Sequence, residues 1–132
     1  MQKELESIRK KSIIEVCSWG GLSLTPGSSG FIITKDYQIY YYHKYHHVPE
    51  YLKDEISLEY LSKPKQIDNK TITKLNNYIE ELLNNTYEER LIMDATFHIY
   101  INYNKQKLTI NNYPELNNKI RKIIERGIKN EK

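Results

Sequence analysis

The chain has 132 residues, of which 39% are hydrophobic and 28% charged, with a net charge of +3 and one cysteine. Those figures suit one soluble globular domain with a core of its own, and no apolar run is long enough for a transmembrane helix. A lone Cys17 excludes an internal disulfide, and MQKELESIRKK lacks the apolar stretch of a signal peptide, so a reducing cytoplasm is the expected location. The N-x-T matches at Asn69 and Asn84 are then idle as glycosylation acceptors.

In chain order, SIIEVCSWGGLSL alternates apolar and polar residues around Gly20-Gly21, which predicts a strand with a bulge or tight turn. TPGSSG, residues 25–30, is dense in turn formers. FIITKDYQIYYYHKYHH follows, with a turn expected at Lys35-Asp36 and a meander of antiparallel strands overall. VPEYLKDEISLEYLSKPKQI is ambiguous. Pro49 permits a short helix, while the alternation of Ile56, Leu58 and Tyr60 favours a strand over residues 55–61.

Asp68 is placed to cap a helix with an apolar stripe of Ile72, Leu75, Ile79, Leu82 and Leu83, stopping at Asn84-Asn85. ATFHIYINY and KLTI, joined through Asn104-Lys105-Gln106, predict a hairpin. A last helix opens at Pro114, runs along Leu116, Ile120, Ile123 and Ile124, and ends at Gly127. The expected fold is a single α+β domain over residues 1–132. An antiparallel sheet of about five strands carries two amphipathic helices on one face.

Candidate chemistry is thin. YQIYYYHKYHH, residues 37–47, puts His43 and His47 on one strand face but about 13 Å apart at the usual rise, too far to share an ion. Neither a zinc motif nor a carboxylate cluster lies beside them, so no metal or cofactor is expected. Tyr40, Tyr42, Lys44 and His46 share the other face and could stack bases, yet tyrosine is also a strand former, and the plainer reading is a central strand. Cys17 beside Val16 reads as a small core hydrophobe rather than a nucleophile, and adjacent Glu88 and Glu89 do not face each other. The glycines at 20, 21, 27 and 30 lack the spacing of a phosphate-binding loop. Catalytic residues are therefore not assigned, and a non-enzymatic protein is expected.

Trp19 stands apart. As the sole tryptophan, between Ser18 and two glycines, it is either a core residue turned in at a bulge or an exposed anchor of the kind that dominates interface energy.

The element order, with SIIEVCSWGGL, DATFHIYINY and PELNNKIRKII, resembles emfourin, a small bacterial inhibitor of thermolysin-like metalloproteases. That family also runs its first strand into a Ser-Gly-Gly segment, whereas here Trp19 separates Ser18 from Gly20. The resemblance implies that a compact α+β protein of this layout works as a stoichiometric inhibitor, and no functional residue is carried over from it.

The expectation is a small cytoplasmic protein that binds and inhibits another macromolecule, a protease or a defence-system effector. Its binding residues would be Trp19, Leu22, Leu24 and Pro26 on one loop, with Tyr40 and Tyr42 on the tyrosine strand. Small size, abundant Lys, Asn, Ile and Tyr, and missing catalytic motifs equally permit a phage-encoded anti-defence protein such as an anti-CRISPR. A third reading is a nucleic-acid-binding module using Tyr40, Tyr42, Lys44 and the basic C-terminal helix, although a charge of +3 neutralises few phosphates. No membrane partner is expected.

Overall fold

The computed structural model describes residues 2–20, 26–54, 58–88, 90 and 95–128. The elements are α1 (Gln2–Lys10), β1 (Ser12–Gly20), β2 (Gly27–Thr34), β3 (Gln38–Tyr45), a 3-10 turn (Glu50–Leu52), β4 (Glu59–Leu61), β5 (Lys65–Gln66), α2 (Asn69–Leu83), β6 (Ala95–Tyr103), β7 (Gln106–Asn111) and α3 (Pro114–Glu125). The strands form one antiparallel sheet in the order β4-β3-β2-β1-β6-β7, with β5 also paired to β3. The fold is α+β as expected. Among the described residues there are seven strands rather than about five, two of them (β4 and β5) short edge pieces, and three α-helices rather than two.

Period-2 alternation gives each strand two distinct faces. One face carries Val16, Phe31, Ile33, Ile39, Ile99 and Ile110, all fully buried against Leu75, Ile79 and Leu82 of α2 and Ile120 and Ile124 of α3. Each such side chain contributes about 1.5–3 kcal/mol by leaving water. A bulge in β1 between Ser12 and Ile14 turns both Ile13 and Ile14 into this core. Asp68 caps α2 as expected, its carboxylate accepting a hydrogen bond from the Thr71 amide at 2.8 Å. The hairpin closes through Asn104 and Lys105, both at positive φ, the primed-turn geometry that matches strand twist.

Two local expectations are corrected. Residues 27–30, expected as a turn, are the first half of β2. A Cβ on Gly30 would run into the Val16 carbonyl oxygen and Cys17, so the small residues serve close strand approach rather than reversal. Pro49 precedes a single 3-10 turn, and of the strand expected over residues 55–61 the described part is paired over Glu59–Leu61, while residues 55–57 lie outside the described residues.

The helices are not all on one face. α1, which the sequence does not announce, lies on the opposite side of the sheet from α2 and α3. Leu5 and Ile8 cover Ile32, Tyr42 and Leu61. At the same place Arg9 makes a two-nitrogen contact with the Glu15 carboxylate, at 3.0 Å from Nε to Oε1 and 3.0 Å from Nη2 to Oε2. The Tyr42 hydroxyl donates to Glu15 Oε2 at 2.6 Å. Glu15 is only 6% exposed, so these partners are what make its burial tolerable.

Removing the phenol hydroxyl in Tyr42→Phe should therefore lower stability by about 1.5–3 kcal/mol, the usual worth of a hydrogen bond to a charged group. Urea unfolding measures it, and an unchanged midpoint would refute the assignment of Tyr42 to this lock.

Candidate functional site

The face that α1 partly covers has a second half that it leaves open. Register places Trp19 there, opposite Ser28 of β2 and Thr96 of β6. Cross-strand neighbours this small cannot bury an indole, and Trp19 is 40% exposed. Cys17 opposes His98, and Glu15 opposes Tyr100, so His98 and Tyr100 continue the same face. Their rings stack with centroids 5.9 Å apart, and Tyr100 is 42% exposed. Among the described residues the other large exposed apolar side chains are Tyr51, Leu58 and Tyr60, none of them on this patch. Trp19 and Tyr100 are thus the two that share one sheet face.

The expected binding residues separate accordingly. Trp19 is exposed, but it belongs to β1 rather than to a loop. Leu22 and Leu24 lie outside the described residues. Pro26 is half-buried, and its carbonyl accepts a hydrogen bond from the His46 amide at 2.7 Å. Tyr40 is half-buried beside α1, in a groove it shares with Lys11, Leu61 and Lys63. Tyr42 is no surface residue at all. At 4% exposure it is part of the Glu15 lock, because α1 packs on it. Burial, followed by the neighbouring Cys17 and Glu15, pushes its phenol well above the ordinary value and keeps it a hydrogen-bond donor.

His98 and Tyr100 were not singled out from sequence, although strict alternation in ATFHIYINY does set them on the face opposite Phe97, Ile99 and Ile101. What alternation cannot say is which face a helix covers.

Cys17 and His98 are cross-strand neighbours, the pairing a thiol nucleophile requires, yet the geometry opposes activation. His98 Nδ1 lies 2.8 Å from Asn111 Oδ1 and Nε2 lies 3.1 Å from Thr96 Oγ1. The amide oxygen can only accept, so Nδ1 carries a proton toward Asn111, and Nε2 is engaged by the threonine hydroxyl. Both nitrogens are occupied away from sulfur. Burial, and then the Glu15 charge, push the thiol from its ordinary 9.0 up to about 11, the reverse of what a nucleophile needs. Asn117 of α3, itself buried, donates to the Cys17 carbonyl at 3.2 Å, so the backbone here is pinned from the core side.

Among the described residues no three His, Cys, Asp or Glu converge as a ligand set, and no helix is long and apolar enough to cross a membrane. Comparison with protein families, curated proteins and solved structures yields no significant match for the chain.

The thiol makes a direct test. At about pH 8, native Cys17 should react with a disulfide reagent roughly a hundredfold more slowly than the urea-unfolded chain, since the thiolate fraction falls tenfold per pKa unit. Because the folded thiol holds its proton above the unfolded value, its favourable contribution is complete below about 9 and is lost as pH rises toward about 11. Equal native and unfolded rates would overturn this account of the site.

Proposed function

We propose that the protein acts by binding another protein through the open half-face centred on Trp19, and that it inhibits its partner by occupying that partner's surface. One observation supports this reading above the others. Trp19 lies exposed on a paired strand among small residues, with His98 next along the same face and Tyr100 beyond it, while α1 covers Ile32 and Tyr42 elsewhere on that face. Aromatic side chains on a preorganised surface are the residues from which interface energy is drawn, because little conformational freedom is lost when they dock. The emfourin-like order of elements supports an inhibitory mode, and a protease or a defence-system effector remains the partner class we favour. The inactive arrangement around Cys17 supports binding over thiol catalysis.

The test uses the protein as bait against a lysate of its source organism, followed by titration of the captured partner with wild type and Trp19→Ala. The variant should melt within a few degrees of wild type, since truncation of a half-exposed side chain removes little packing. Its affinity should fall by at least about thirtyfold, the mark of an interface hot spot. A Trp19→Ala protein that folds normally and binds its partner as wild type does would sink the proposal.

A further inference from the structure

The tyrosine-rich strand has a second outlet, on the other side of the sheet. His43 and Tyr45 point to the face that carries the main core, but they lie at the end of β3, beyond Phe31 and Tyr41, where the core gives way to solvent. Tyr60 of β4 stands directly across from His43. The three rings form a stack with His43 in the middle: its centroid is 4.7 Å from Tyr45 at an interplanar angle of 23°, and 5.4 Å from Tyr60 at 21°. Tyr60 is 47% exposed, so the outer side of the stack faces water. Arg121 of α3 forms one wall of the shallow depression beside it, whose volume is about 260 Å³. That is below the roughly 300–1,000 Å³ that encloses a drug-sized ligand and suits a single ring system.

We infer that the Tyr45–His43–Tyr60 stack and Arg121 form a stacking site for an unpaired base of single-stranded nucleic acid. The chemistry has two parts. An exposed aromatic face at the end of a stack accepts any base, because every base offers a π-surface. A guanidinium beside it suits the phosphate that follows. Lys122 of the same helix and Arg126 at its C-cap are exposed, and with Arg121 they outnumber Glu125, the carboxylate that acts with Arg121 on the Tyr41 hydroxyl. Duplex is disfavoured because its bases have both faces covered and a net charge of +3 supplies few phosphate contacts. The site differs from the one anticipated on Tyr40 and Tyr42, since Tyr42 is sealed beneath α1. It is also independent of the Trp19 patch, which lies on the opposite face.

Fluorescence anisotropy with a labelled short oligonucleotide at low salt tests it. Wild type should bind the single strand more tightly than the matching duplex. Tyr60→Ala should weaken single-strand binding by about fivefold or more, and Tyr60→Phe should retain it. Arg121→Gln should lower the slope of log affinity against log salt by about 0.7. Trp19→Ala should bind the oligonucleotide as wild type does, which separates this site from the protein-binding reading. Circular dichroism of each variant establishes that it is folded. No binding at low salt, a preference for duplex, or equal binding by folded Tyr60→Ala would overturn the inference. So would loss of a protein partner, with oligonucleotide binding intact, in that variant.

Discussion

A carboxylate buried on a sheet face has to be answered by its surroundings, and Glu15 organises one side of this protein for that reason. It sits in β1, between two paired strands, where water is largely excluded. An unpaired charge there costs several kcal/mol, so Arg9 and Tyr42 are drawn to it. Arg9 brings α1 with it. A helix of nine residues is too short to persist alone, and Leu5 is its one fully buried apolar side chain. The charged contact and this small apolar patch must act together to seat it. The geometry of the lock then decides which part of the sheet is covered and which is left open.

The same constraint sorts the tyrosines. Tyr42 is consumed by the Glu15 lock. Tyr41, on the opposite face, tilts against Phe31 at 5.9 Å at the margin of the core. Tyr45 lies further along that face, beyond the buried core, and stacks with His43 instead. One strand thus serves a lock, a core and a solvent-facing stack, because successive side chains alternate and the helices cover different lengths of the two faces. The tyrosine-rich stretch is an interior strand first, and whatever it binds is limited to the part that no helix seals.

Much of the fold could be read in advance where periodicity was strong. The stripe from Leu75 to Leu82, the Asp68 cap, the Pro114 start and the 95–111 hairpin all rest on local rules. α1 could not be read this way. Leu5 and Ile8 are too few to define a stripe, and the residue that recruits the helix lies beyond it in a strand. The available signal was Glu15 itself, a charge inside the apolar run SIIEVC, which calls for a buried partner. The 27–30 segment was opaque for another reason: glycine and serine signal turns locally, whereas here they let neighbouring strands approach. Trp19 was legible as unusual but not as exposed. Its exposure follows from small residues on β2 and β6, Ser28 and Thr96, distant in the chain, that only the register brings beside it.

The central claim is that α1 covers half of one sheet face and leaves the Trp19 half open to solvent. Because Trp19 is the sole tryptophan, its fluorescence reports that claim without interference from another indole. The account predicts red-shifted emission from the native protein and ready quenching by iodide, at a rate approaching that of the unfolded chain. Blue-shifted emission that iodide fails to quench would show the indole covered, and would contradict the open face on which the proposed partner site rests.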